Sequence, residues 1–205
     1  MPGFHIKFSY LLIPKLRAAA FLKAHFQNTP SIALLKDPAG LTLDGSFLGK
    51  TNLPRCSAGV TISLSLGVDP SVNVTYSKPV VERSQTGVFN KEDSSVYTRT
   101  CTVTNTRSNR VLEGLVLDQI PVTEDERLTA GVLQLPGLRN EGGVGKTGTG
   151  IAALGKPTEK WGRATAVLKK GGEVCWDVMI EPGRGVKLVL EYVARFPSPE
   201  VDVGV

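Results

Sequence analysis

Residues 89–128 read FNKEDSSVYTRTCTVTNTRSNRVLEGLVLDQIPVTEDERL, and the alternation within this stretch decides the fold. From Ser95 to Asn105, Val96, Thr98, Thr100, Thr102 and Thr104 share one face, and Tyr97, Arg99, Cys101 and Val103 share the other. Successive side chains of a strand point to opposite faces, and β-branched residues suit the pleat, so this run is a strand with a wet, threonine-rich face. Residues 106–110 (TRSNR) are polar and turn-prone. Val111 to Ile120 then returns as a second, more apolar strand, ended by Pro121, which has no N–H to give to a ladder. Two strands joined by so short a loop are expected to pair as an antiparallel hairpin.

The same grammar runs outward in both directions. Val60 to Leu66 (VTISLSL) alternates strictly, with Val60, Ile62, Leu64 and Leu66 toward the core and Thr61, Ser63 and Ser65 outside. Leu41 to Leu48 carries Asp44-Gly45 between apolar runs, a pair suited to the positive φ angles of a tight hairpin turn. Ala164 to Leu168 and Val174 to Ile180 form another hairpin around 169–173, with Trp176 in line with Val174, Val178 and Ile180. Phe4–Leu12, Val72–Tyr76, Val80–Thr86, Thr129–Leu135 and Val186–Phe196 are further strands, and Pro79 puts the run after it on an edge. Ala18–Phe26 has the composition of a helix but the neighbours of a strand, and is read as strand. Pro136–Lys160 is the longest loop. Many short strands between Gly and Pro turns give an all-β fold: one antiparallel β-sandwich-like domain with long loops over residues 1–196, then a C-terminal tail, 197–205.

With 205 residues the chain can bury a substantial core, and with aromatics at 6% that core rests on Val, Leu and Ile. The net charge of +5 and pI of 9.2 come without a dense basic cluster or stacking platform, so no nucleic acid partner is expected. No run approaches the roughly 20 apolar residues of a membrane helix, and no membrane partner is expected. Cys56, Cys101 and Cys175 are odd in number and far apart, which argues for reduced, buried thiols and a cytoplasmic protein rather than a disulfide framework. Acids are absent before Asp37, a composition shared with organelle-targeting leaders, but the same residues carry a strand pattern.

Reactive chemistry finds little to stand on. Residues 142–147 (GGVGKT) approach a phosphate loop, but Asn140 stands where the motif needs glycine and no strand-then-helix context surrounds it, so a flexible loop is expected. His5 and His25 are the only histidines and have no ligand-spaced Cys, Asp or Glu, so no metal and no cofactor is expected. Cys175 reads as a packed thiol. Glu124, Asp125 and Glu126 form an acidic loop that could serve a partner, and Thr123 with Glu126 matches a capping box. Tyr97, Trp161 and Trp176 are the aromatics a carbohydrate-binding sandwich would use for stacking on sugars. Catalytic residues are expected to be absent.

With these segments placed, the chain resembles the C-terminal β domain of mucoidy-inhibitor-A-like proteins, domain of unknown function 4139. The resemblance is carried by 13–16 (IPKL), 43–47 (LDGSF), 65–70 (SLGVDP), 74–76 (VTY), 117–122 (LDQIPV) and 176–178 (WDV), and it covers roughly residues 10 to 200. Residues 87–97 (GVFNKEDSSVY) look like the fungal members. The resemblance implies a β-sandwich-like fold and a strand at 18–26. It also implies a fragment or short form, because longer relatives carry an N-terminal domain, a coiled coil and earlier strands of the same domain. The family brings no established catalytic residues. Function is therefore expected to be protein interaction or scaffolding, through loops, a sheet edge or self-association, with carbohydrate binding as the alternative.

Overall fold

The computed structural model describes residues 6–29, 31–43, 46–86, 92–122, 129–133, 138, 142–152 and 155–197. Alternation becomes strand throughout. The chain runs β1 (Ile6–Ile13), β2 (Arg17–Gln27), β3 (Asp37–Leu43), β4 (Ser46–Leu53), β5 (Thr61–Val68), β6 (Val72–Tyr76), β7 (Val80–Thr86) and β8 (Glu92–Asn105). It continues through β9 (Leu112–Gln119), β10 (Thr129–Val132), β11 (Val144–Thr147), β12 (Thr149–Ile151), β13 (Gly162–Leu168), β14 (Glu173–Ile180) and β15 (Gly185–Pro197). Segment 18–26 is strand, as its neighbours demanded: pairing on both edges overrides the helix preference of its alanines.

Two sheets face each other. The larger has seven strands in the order β11-β13-β14-β9-β1-β2-β5. It is antiparallel except for β1 and β9, which run parallel with Tyr10 opposite Gly114. Gly114 is required there, because a Cβ would stand 2.8 Å from Tyr10 Cβ. The second sheet is built on two long strands, β8 and β15, paired from Glu92 to Thr104. β6 and β7 share the outer edge of β8, and β10 and β12 share that of β15. The β3–β4 hairpin forms a small separate sheet, with Leu43 opposite Ser46, and its turn at 44–45 lies outside the described residues. The β13–β14 hairpin matches expectation, with Leu168 opposite Val174.

The core lies between the two sheets. Leu12, Val116, Val178 and Trp176 enter it from one side, and Val103, Val186, Leu188 and Tyr192 from the other. Each fully buried side chain of this size contributes roughly 1.5–3 kcal/mol. Thr98, Thr100, Thr102 and Thr104 stay half-exposed outside, as their pattern requires.

Two expectations need correction. β8 and β9 do not pair as a hairpin: β8 lies in the second sheet between β15 and the β6–β7 edge, and β9 lies in the first between β14 and β1. Both strands have a buried face, and facing each other across the core buries both. The connection is an arch held by Asn105, which is fully buried and donates from Nδ2 to the carbonyls of Arg110 (2.8 Å) and Ile180 (3.2 Å). The second correction is the 136–160 loop, which holds β11 and β12. The phosphate-loop look-alike falls largely on β11, an edge strand paired with β13. The glycines after it serve packing: a Cβ on Gly150 would fall 1.9 Å from the Trp161 ring.

Candidate functional site

Buried charge is the first place to look for chemistry, and two clusters hold it: one bridges the sheets, and the other ties β1 to the β5–β6 and β8–β9 connections that cross between them. On β9, Asp118 projects inward. Its Oδ2 accepts from the Tyr76 hydroxyl (2.7 Å), and its Oδ1 accepts from the Gln119 amide (2.7 Å) and Arg99 Nη1 (3.1 Å). Arg99 Nη2 donates to the Tyr192 hydroxyl (2.9 Å), and the Tyr97 ring stacks on Tyr192 with centroids 5.0 Å apart. Burial, then the Asp118 hydrogen bond, push the Tyr76 phenol well above the usual tyrosine range.

The second cluster repeats the same three residue types. Asp69 Oδ2 accepts from the Tyr10 hydroxyl (2.7 Å) and from Arg107 Nη2, and Oδ1 accepts from the Ser71 amide (2.9 Å). Burial would raise this carboxyl, but the Tyr10 hydroxyl, the Ser71 amide and the Arg107 guanidinium outweigh it and hold it below the ordinary value. Tyr10 is pushed up to about 12, by burial first and then by Asp69. In both clusters each carboxylate oxygen is bonded within the protein. A phenol held neutral and a carboxylate held by an arginine tie these elements together and offer no nucleophile.

Among the described residues the one histidine contact is on the open face of the larger sheet, where His25 Nε2 lies 2.7 Å from Ser9 Oγ. No carboxylate bonds the other ring nitrogen among the described residues, so the pair lacks the group that orients an imidazole for nucleophilic catalysis. His5 lies outside the described residues. No three His, Cys, Asp or Glu side chains gather at metal-binding distance among the described residues, and no helix there is long and apolar enough to cross a membrane. Cys56, Cys101 and Cys175 are free and buried, and burial, with Asp118 adding to it, pushes the Cys101 thiol up to about 12.

The aromatics singled out from sequence are not brought together. Trp176 is 2% exposed and Trp161 8%, so both indoles are core and present no face to a sugar. Tyr97 is half-buried, and its ring is occupied by Tyr192. Glu124, Asp125 and Glu126 lie outside the described residues.

What the fold leaves open is an edge. Strands with an unpaired edge normally carry charge, proline or a short length that discourages pairing. β7 carries Glu82 and Arg83; β11 has four residues and Lys146; β6, β10 and β12 have five, four and three residues. β5 has eight residues, TISLSLGV, with no charge and no proline, and it pairs with β2 alone among the described residues. The β3–β4 hairpin comes near β5 but forms no ladder with it. Exposed apolar side chains gather in the same part of the chain: Ile32 and Leu35 (74% and 73% exposed), Phe47, Val60 and Val68. Asn28 ties this region together, donating from Nδ2 to the Ile32 and Cys56 carbonyls and from its backbone amide to the Val60 carbonyl. The VTISLSL alternation was the sequence signal for this edge; its lack of a second partner was not visible there.

A family model described as Domain of unknown function (DUF4139) matches residues 17–198. Protein F37C4.5 of Caenorhabditis elegans is 37% identical over 123 residues, an alignment covering 60% of this chain and 22% of the worm protein. The aligned segment thus spans less than a quarter of that relative. No solved structure matches the chain.

Proposed function

Because the chain belongs to the DUF4139 family, whose description assigns no activity, we propose a function from its own geometry: a non-enzymatic interaction domain that takes an extended protein strand onto the free edge of β5. The supporting observation is that β5 is the one long, uncharged edge strand among the described residues. In strand addition the backbone supplies affinity, and alternate side chains supply specificity. Half-buried Ile62, Leu64 and Leu66, with exposed Val60 in line with them, supply an apolar surface for the incoming side chains. The buried Asp69 and Asp118 carboxylates are already engaged in hydrogen bonds within the protein, which also favours binding over reaction. Within the family, the segments at 87–97 and 117–122 support a mucoidy-inhibitor-A-like chain of fungal type. Three free, buried thiols support a cytoplasmic setting.

Ser63→Pro tests the reading. The Ile62 and Leu64 positions flank it, and the Val60 carbonyl, of the same parity as both, bonds toward β2, so strand alternation turns the Ser63 N–H to the free side. Proline there removes an edge donor without removing a β2–β5 bond. Affinity capture with the intact chain and with Ser63→Pro, at equal folded fraction, is expected to lose the partner selectively with proline. Equal capture by both overturns the reading.

A further inference from the structure

We propose that the strand β5 accepts is β5 of a second copy of this chain, paired antiparallel about a twofold axis at Ser63. This rests on the strand-addition reading and names its occupant.

The run from Val60 to Leu66 is a palindrome of polarity: apolar, hydroxyl, apolar, hydroxyl, apolar, hydroxyl, apolar. Folded onto itself about Ser63, Val60 meets Leu66 of the second copy and Ile62 meets Leu64, all on the core face. On the outer face Thr61 meets Ser65 and Ser63 meets Ser63. Apolar pairs and hydroxyl pairs directly opposite each other are both favourable cross-strand combinations. A register shifted by one residue would set apolar side chains against serines, so the pattern selects its own pairing. The regular run ends where it should, because the β2–β5 register shifts beyond Ser65, with Leu22 opposite Gly67.

The backbone agrees. With the Val60 carbonyl bonded to the Asn28 amide at 2.9 Å, the even-numbered residues of the run address β2 and the odd-numbered ones address the free side. A twofold at Ser63 sets Thr61, Ser63 and Ser65 against Ser65, Ser63 and Thr61. All three are pairs whose N–H and C=O face each other, giving about six backbone hydrogen bonds. No charge lies on β5 to oppose the approach. On β2, the charged side chain paired with the run is Lys23, opposite Ser65. Across the axis the two β2 strands are three strand spacings apart, about 14 Å. That exceeds the Debye length of about 8 Å at physiological salt. The product joins two seven-stranded sheets into one continuous sheet and covers Val60, which is 46% exposed in the single chain.

Ser63 is exposed, so charging it spares the fold, and at the axis it faces its own copy. Light scattering of the chain over a wide concentration range is expected to show a monomer–dimer equilibrium. Ser63→Lys alone and Ser63→Glu alone are each expected to dimerise at least about tenfold more weakly, from like charges held opposite each other. An equimolar mixture of the two is expected to restore dimer, as a heterodimer. Unchanged dimerisation in both single variants overturns the proposal, because the interface then lies elsewhere. A chain monomeric at every concentration also overturns it, and amide exchange separates the two readings. Fast exchange at Thr61, Ser63 and Ser65 leaves the edge open for another protein and the broader reading stands; protected amides there remove both.

Discussion

The Asp118 carboxylate on β9 meets the Arg99 guanidinium on β8 at 3.1 Å, with the two strands in different sheets and both side chains largely out of water. The pair is a cross-sheet tie whose partners depend on each other more than the fold depends on either charge. Removing one partner of a buried pair typically costs about 3–5 kcal/mol, whereas replacing both with apolar groups is close to neutral. Asp118→Asn is therefore expected to destabilise by about that amount, and Asp118→Asn with Arg99→Met by less than the sum of the singles. Urea unfolding of the four chains checks it. Additive costs would show that the two groups act independently.

Asp69 sets the acid limit. Its folded pKa lies below the unfolded value, so the unfolded chain takes up the proton first as pH falls. The stabilisation is complete above the ordinary aspartate value of about 3.9 and is lost as pH drops below it, through the depressed folded value. Unfolding free energy measured against pH is expected to fall on the acid side, and Asp69→Asn is expected to flatten that slope while lowering stability near neutrality. An unchanged slope would mean that other carboxylates dominate acid unfolding.

The thiols report the same burial. Cys101 is 4% exposed with its thiol pushed up to about 12, and burial also raises Cys175. Only the thiolate attacks a disulfide reagent, so a buried thiol held protonated is inert. In native buffer the three cysteines are expected to react with a thiol reagent no faster than the protein unfolds, and all three to react at once in denaturant. Rapid reaction of one equivalent in the native state would place a thiol at the surface.

Trp161 depends on the bare backbone of β12. A Cβ on Gly150 would lie 1.9 Å from the indole and 2.3 Å from the Thr158 carbonyl oxygen, so Gly150→Ala must displace the ring or the strand. Overpacking of this kind typically costs about 1–3 kcal/mol. A lowered melting temperature and a red-shifted tryptophan emission are the expected signs. Gly155→Ala is the contrast, since nothing lies within 4 Å of its added Cβ, although its φ of 74° carries its own backbone strain.

Strand identity was legible because it is local: a two-residue period shows in Val60–Leu66, Val174–Ile180 and Val186–Phe196 without any knowledge of neighbours. Partner choice was not. The 106–110 turn looks the same whether the strands it joins pair edge to edge or face each other across a core. The same limit hid the site. Tyr76 meets Asp118 and Tyr10 meets Asp69 over separations of 42 and 59 residues, and no spacing rule links them. The indoles illustrate the converse, because Trp176 sat visibly in an apolar row and that row was core.

Asn105 is where the chain turns from one sheet to the other, and it can be tested as such. Its buried side chain donates to the Arg110 carbonyl beyond the turn and the Ile180 carbonyl at the end of β14, and its Oδ1 accepts from the Arg107 amide at 3.3 Å. The backbone carbonyls at 110 and 180 are tied by one amide that a hairpin would not need. Asn105→Ala leaves those buried acceptors without that donor, and each such group costs about 1–3 kcal/mol. Asn105→Asp keeps the shape and the Arg107 contact but replaces the donor with an acceptor facing two carbonyls, so it is expected to destabilise at least as much as alanine near neutral pH. Were both variants as stable as the native chain in urea, the arch would be held by its flanking ladders, and the crossing between sheets would owe nothing to this side chain.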